Sequence, residues 1–276
     1  MRPARAVAAG KINLALVVGA RRDDGLHEVA SVLQRIDVCD RIELAPARGL
    51  AVEGFEGDTI VRRALEELAR EADVDPAWRA RITKEIPLAA GLGGGSADAA
   101  AALRLANAVL ERPLDEGTLH ALAAGLGVDV PFFLEPGPKL AEGAGETLTP
   151  LELPQDFWVL LAFPRGATKR ATGDVYARFD ELGGGSDFAE RKAALLAGLE
   201  AVRRPRDLAA LPANDLAEPA GGVPFAKEMG SAGAFRVDLS GAGPTAYGLY
   251  HRRDQARAAA RTIGRRARTW VVPPVW

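Results

Sequence analysis

Four of the five residues from Gly91 to Gly95 are glycine, and the run Gly91-Leu92-Gly93-Gly94-Gly95 ends on Ser96. Glycines let a backbone approach a ligand closely and adopt positive φ. Behind the loop lies the alanine-rich run Ala97–Leu110, a strong helix former. The start of such a helix offers unpaired N–H groups and the positive end of its dipole. Together they make an anion site suited to a nucleotide's phosphates. Two common phosphate motifs do not match. A Walker loop ends Gly-Lys-Ser/Thr, whereas Gly95-Ser96 is followed by Ala97. A dinucleotide fingerprint begun at Gly91 needs glycine or alanine three residues after Gly93, where Ser96 stands. By itself the loop is equally a flexible linker or a tight strand–helix turn.

Two ionisable residues stand out by their neighbours. Asp129 is flanked by Val128, Val130, Pro131, Phe132 and Phe133, and a carboxylate in such company is costly without a partner. Lys11 adjoins the apolar run Ile12–Ala20. In isolation Asp129 reads as a capping or turn aspartate and Lys11 as a solvated strand-edge lysine. Ser240-Gly241-Ala242-Gly243-Pro244 is a second glycine-rich loop, in isolation a hairpin turn.

The wider pattern Pro87-Leu-Ala-Ala-Gly-Leu-Gly-Gly-Gly-Ser96 resembles the phosphate loop of the GHMP kinases. Three more segments agree in order: Ala9-Gly10-Lys11-Ile12-Asn13-Leu14, Gly127-Val128-Asp129-Val130-Pro131-Phe132 and Leu239-Ser240-Gly241-Ala242-Gly243-Pro244-Thr245. Asp24-Gly25-Leu26-His27 and Ala141-Glu142-Gly143-Ala144-Gly145-Glu146 are similar to one branch, whose substrate is a cytidine diphosphate-linked polyol. The resemblance runs from about residue 9 to about residue 250.

The resemblance implies a two-domain α+β fold of the GHMP kinase type. A ribosomal-protein-like N-terminal domain over 1–154 would bind ATP and carry catalysis. A ferredoxin-like C-terminal domain over 155–276 would bind substrate, with the active site in the cleft between them. It implies ATP and Mg²⁺ as cofactors and in-line transfer to a hydroxyl of a small-molecule acceptor. Asp129 maps onto the base that takes the hydroxyl proton, and Lys11 onto its lysine partner. Pro87, Gly91, Leu92, Gly93, Gly94, Gly95 and Ser96 map onto the ATP site, and Asn13, His27, Tyr176, Ser240, Gly241 and Gly243 onto the substrate site.

Two departures qualify that picture. The family often has a second serine after the glycines, and Ala97 stands there, so no metal ligand is assigned. The branch commonly reads Gly-Tyr-His where this chain reads Gly25-Leu26-His27, so a stacking aromatic for the base is missing. In isolation His27 is a loop histidine and Tyr176 a core-facing helix residue. Asn214-Asp215 echo a family dipeptide without an evident role. The rival expectations are another GHMP kinase of homoserine or mevalonate type, and a non-catalytic nucleotide-binding regulator.

These residues need elements to hold them. Residues 6–19, Val29–Val38, Asp40–Ala45, Ala80–Ile86, Phe157–Ala162 and Thr269–Val275 read as strands, and Phe235–Tyr250 as two strands around a turn. Helices are predicted over Asp58–Ala72, Ala97–Leu110, Asp115–Gly125, Asp174–Leu182, Phe188–Val202 and Gln255–Arg266. Glu142–Glu146 reads as a hairpin turn, Val128–Leu134 as a short apolar run and Gly183–Ser186 as a flexible link. Strands and helices mix without regular βαβ alternation, which indicates α+β.

Lys+Arg number 35 against Asp+Glu 37, with no basic stripe, which argues against nucleic acid as a partner. Cys39 is the only cysteine, so no intrachain disulfide or multi-cysteine metal site can form. Arg2, Arg5 and the run Ile12–Ala20 imitate a secretory signal, but Lys11 and Asn13 sit in or beside the run. The expectation is a cytoplasmic monomer or weak homodimer with no membrane partner.

Overall fold

The computed structural model describes residues 3–55, 60–167 and 171–276. The chain opens with two long strands, β1 (Ala4–Arg21) and β2 (His27–Pro46), joined at the expected turn, where Gly25 takes φ +83°. Two strands were expected over 29–45, and a single one forms. From Ile36 to Leu44 every second residue is buried, and Asp40 holds an inward place in that alternation. Its carboxylate is satisfied by partners from residues 84–86, so no break is needed.

β3 (Ala51–Glu53) and α1 (Ile60–Glu71) follow, and the expected helix start at Asp58 lies outside the described residues. β4 (Trp78–Thr83) stops short of the expected Ile86. The reason is local: the N–H groups of Glu85 and Ile86 donate to the Asp40 carboxylate rather than to a neighbouring strand. α2 (Gly94–Ala108) begins three residues earlier than predicted, because Gly93 at φ +68° turns the chain into the helix. α3 (Glu116–Leu126) is capped as expected, with the Thr118 N–H donating to Asp115 at 2.9 Å. The apolar run after it makes a turn and a 3₁₀ segment, Pro131–Phe133.

The hairpin β5 (Lys139–Gly143) and β6 (Thr147–Pro150) turns at the predicted residues. Then come β7 (Trp158–Pro164), α4 (Thr172–Glu181), α5 (Phe188–Ala201), a 3₁₀ segment Pro205–Ala210, α6 (Ala226–Ser231), β8 (Arg236–Leu239), β9 (Ala246–Tyr250) and α7 (Arg253–Ile263). The predicted last strand divides into β10 (Ala267–Val272) and β11 (Pro274–Val275). β3, α6 and the 3₁₀ segments were not predicted.

Two compact units result, each drawn from separate stretches of chain. The first takes Met1–Gly10, Val38–Leu88 and Gly93–Pro136. Within it β4 pairs antiparallel with the second half of β2 and parallel with β3. α2 packs against α1 and α3. Its alanines are a packing requirement: Ala97, Ala99–Ala102, Leu103 and Ala106 are all buried, so small side chains let neighbours close in around the helix.

The second unit takes Lys11–Asp37, Ala89–Leu92 and Gly137–Trp276. β5 and β11 pair with the first half of β2. β7–β10 form an antiparallel sheet in the order β10-β7-β9-β8, the ferredoxin-like arrangement expected of the C-terminal part. α6 and α7 supply Met229, Ala256, Ala259 and Ile263 to its core, against Leu160, Ala246 and Tyr250. Among the described residues no helix is long and apolar enough to cross a membrane.

Candidate functional site

In the first unit, Gly93 is the left-handed cap that opens α2, and Gly94, Gly95 and Ser96 are its first three residues. The N–H groups of a first turn have no intrahelical acceptor, so these residues present the donors expected of the phosphate loop. A Cβ on Gly94 would stand 2.9 Å from Ile86 Cγ2 and 3.4 Å from Asp40 Oδ2, so only glycine fits without displacement. Pro87 lies just beyond Ile86. Asp129 sits half-buried in the turn between α3 and the 3₁₀ segment, where the Val130 N–H donates to the Gly127 carbonyl at 3.0 Å.

Beneath the loop is a cluster that the sequence did not announce. Lys84 Nζ donates to Asp40 Oδ2 and, at 2.7 Å, to Asp98 Oδ2. Asp40 and Asp98 are fully buried. Burial weakens the Lys84 ammonium, but its two carboxylate partners outweigh this and hold its pKa above the ordinary lysine value. Burial, then the charge of Asp40, push Asp98 up to about 7 against the pull of Lys84.

In the second unit, Lys11 and Asn13 lie on β1, both buried, and Lys11 Nζ donates to Asn13 Oδ1 at 2.8 Å. Asn13 is held in turn: its amide donates to Ser31 Oγ at 2.8 Å, and its carbonyl accepts from the Tyr247 hydroxyl at 2.9 Å. The loop at Gly241 passes directly over this pair. A Cβ there would stand 3.6 Å from Asn13 Oδ1 and 3.7 Å from Lys11 Nζ. Ser240 Oγ donates to the Gly91 carbonyl at 2.8 Å, and the Lys11 N–H to the Leu92 carbonyl at 2.9 Å. Lys11, Asn13, Ser240, Gly241, Gly91 and Leu92 are therefore brought together. Gly243 makes the same loop's turn, with its N–H on the Ser240 carbonyl at 3.0 Å.

The sequence missed what fixes this loop. Asn214 donates its amide to the carbonyls of Leu239 and Gly241. Its own N–H donates to Asp238, which is paired with the buried Arg236 at 2.8 Å. Asp215 accepts from the Val18 N–H at 2.9 Å and pairs with Arg191. The Asn214-Asp215 dipeptide thus ties β1 and α5 to the second glycine loop, and only the dipeptide itself marked it in the sequence.

His27 and Tyr176 come together, with ring centroids 4.7 Å apart. His27 Nε2 lies 2.8 Å from Asp180 on α4, a partner not foreseen. Leu26, in the place of the expected aromatic, is 47% exposed. Among the described residues no three His, Cys, Asp or Glu side chains gather as a metal cage. Magnesium in nucleotide sites is held largely by the phosphates and water, with few protein oxygens. A loop whose one hydroxyl is Ser96 is compatible with that mode.

Comparison with known proteins supplies the family context. Residues 59–137 match the model described as GHMP kinases N terminal domain. The chain is 38% identical over 270 residues to a 4-diphosphocytidyl-2-C-methyl-D-erythritol kinase of Anaeromyxobacter sp. (strain Fw109-5), covering 93% of this chain and 85% of the relative. Its identity to the enzyme of that name from Deinococcus radiodurans is 39% over 278 residues, covering 96% and 90%. A crystal structure of 4-(cytidine 5'-diphospho)-2C-methyl-D-erythritol kinase superposes with a TM-score of 0.81 at 32% identity, over 99% of this chain and 100% of the other. A mevalonate kinase structure, at 11% identity and a TM-score of 0.76, shares the fold.

Proposed function

From the premise that the chain belongs to the 4-diphosphocytidyl-2-C-methyl-D-erythritol kinases, a branch of the GHMP kinases, we propose that it phosphorylates the 2-hydroxyl of that cytidylyl polyol with ATP. This is a step of the non-mevalonate route to isoprenoid precursors. The observation that carries the reading is the opening of α2, where a left-handed Gly93 turns the glycine loop into a helix start. That is a cradle for phosphates, not a spacer.

Phosphoryl transfer demands alignment, neutralised phosphate charge and removal of the hydroxyl proton. Gly93, Gly94, Gly95 and Ser96 bind the phosphates through main-chain N–H groups, with Pro87, Gly91 and Leu92 shaping the approach. Mg²⁺ bound with ATP would supply neutralisation of the phosphate charge, and Ser96 is the protein hydroxyl that would help to hold it. Asp129 accepts the proton from the acceptor hydroxyl. Lys11, held by Asn13, stabilises negative charge at the reacting oxygens. The Ser240–Gly243 loop approaches the substrate through its backbone, and His27 and Tyr176 hold the cytosine. The division into a nucleotide-binding part over 1–154 and a substrate-binding part over 155–276, in a cytoplasmic monomer or weak homodimer, belongs to the same proposal.

The test is ADP release by the purified protein with Mg·ATP and 4-diphosphocytidyl-2-C-methyl-D-erythritol, with homoserine and mevalonate alongside. ADP released only with the cytidylyl substrate is the expected result. Release with another acceptor moves the chain to a different substrate. Silence with all three, in a protein that binds ATP, makes it a non-catalytic regulator.

A further inference from the structure

Three ionisable side chains lie behind the phosphate loop with no part in the chemistry above. Asp40 comes from β2, Lys84 from the segment after β4, and Asp98 from the second turn of α2. Asp40 Oδ1 accepts the N–H groups of Glu85 at 2.6 Å and Ile86 at 2.9 Å, which fixes the path of the chain just before Pro87. Lys84 joins that path to Asp98, and so to the helix that leaves the loop. Gly94, the first residue of that helix, packs on Ile86 and Asp40 themselves. Both ends of the phosphate loop therefore hang on one ion cluster.

A cluster so deeply buried is a poor choice for stability alone, since desolvation offsets much of its attraction. It is also incompletely satisfied. Among the described residues Asp98 Oδ1 is buried without a hydrogen-bond partner, a cost of the kind that structures retain for a reason. The charges that act most on Asp98 are those of Asp40 and Lys84, and the buried residues of α1, α3 and the 3₁₀ segment are apolar.

We propose that Lys84, Asp40 and Asp98 are positioning residues for the nucleotide's phosphates: by tying the chain before Pro87 to the helix that leaves the loop, they hold the glycine loop in its binding shape. The proposal rests on the reading that this loop holds ATP. Asp98 stands four residues into α2 from Gly94, about 6 Å along the axis, so the cluster acts through the frame of the loop.

The experiment measures binding of a fluorescent ATP analogue with Mg²⁺ to the full chain, beside steady-state kinetics. It compares wild type, Asp98→Asn, Lys84→Met and Lys84→Arg. Lys84→Met should weaken nucleotide binding on the order of 10-fold and raise KM for ATP by more than it lowers kcat, with partial recovery in Lys84→Arg. Asp98→Asn, which keeps the shape but loses the ion pair, should weaken binding by less. If Lys84→Met does not fold, Asp98→Asn decides alone. Unchanged nucleotide affinity in folded Lys84→Met overturns the proposal, as does unchanged affinity in Asp98→Asn where Lys84→Met does not fold. Failure of wild type to bind nucleotide overturns the kinase reading as well.

Discussion

Asn214 donates one side-chain amide group to two main-chain carbonyls, those of Leu239 at 2.9 Å and Gly241 at 2.7 Å. The loop that lies over Lys11 and Asn13 is thus held from below by a residue remote from it in sequence. Truncation to alanine leaves both carbonyls without their donor in a buried setting, which costs about 1–3 kcal/mol. Asn214→Ala should unfold at a lower temperature and show a raised KM for the polyol substrate. Asp215→Asn, which keeps the shape but weakens the link to Arg191, should do less. Thermal unfolding and steady-state kinetics on the two variants check this. An Asn214→Ala protein with wild-type KM would mean that the loop holds its path unaided.

Asp129 is half-buried in a turn, among Val130, Phe132 and Phe133, which are buried. In the proposed role as base it takes the proton of the acceptor hydroxyl, so its replacement removes the proton acceptor without removing the phosphate cradle. Asp129→Asn should therefore lose at least ~10²-fold in kcat, the ordinary contribution of a general base, while ATP binding persists. Lys11→Met should lose activity too, with a further fault: Asn13 Oδ1 forfeits its donor. Single-turnover rates and nucleotide affinity separate the two effects. Near-normal turnover in a folded Asp129→Asn variant would remove it from the chemistry.

At the proposed base site, the rings of His27 and Tyr176 lie 4.7 Å apart, and Asp180 engages His27 Nε2. One imidazole nitrogen is thereby occupied, and in the proposed complex the other meets a base edge. Leu26 offers no ring to stack on cytosine, and a stacking aromatic is worth ~1–3 kcal/mol per base. Leu26→Tyr should lower KM for the cytidylyl substrate without raising kcat. Asp180→Ala should raise KM for the same substrate and leave KM for ATP alone. Unchanged KM in Leu26→Tyr would show that the base does not reach residue 26.

Most of the architecture was legible in the sequence because it is written in local patterns. Strand alternation, the alanine run of α2, the Asp115 cap and the Glu142–Glu146 hairpin each depend on residues a few positions apart. The candidate site was legible through the glycine loops and the motif around Lys11. What the sequence hid are the contacts that cross it. Asp40 replaces strand pairing at Glu85 and Ile86, so the predicted end of β4 ran too far. Asp98 lies in an alanine run, where a lone carboxylate reads as a solvated helix residue; only the fold brings Lys84 to it. Arg236 reads as an ordinary strand arginine, yet its guanidinium is buried, donating to the carbonyls of Leu208, Leu211 and Pro212. Such residues carry no spacing signal, since their partners are set by topology.

Asp98 also leaves a mark on stability, independent of nucleotide. Burial first, and the charge of Asp40 next, raise its pKa to about 7 in the folded chain, against ~3.9 for an unfolded aspartate. Between those values the folded protein keeps a proton that the unfolded chain has released. Stability contributed by this group is therefore fully present below the unfolded value and declines as pH rises through the window. Each factor of ten in proton affinity is worth up to ~1.4 kcal/mol, so the full window amounts to a few kcal/mol. The amide introduced by Asp98→Asn cannot titrate, so in that variant this decline disappears. The variant should gain on wild type as pH rises from about 5 to about 8, when both are unfolded by urea at each pH. Other titrating groups act equally on the two proteins and drop out of the difference. Parallel stability curves over that range would show that Asp98 is ionised in the folded state throughout, held so by Lys84.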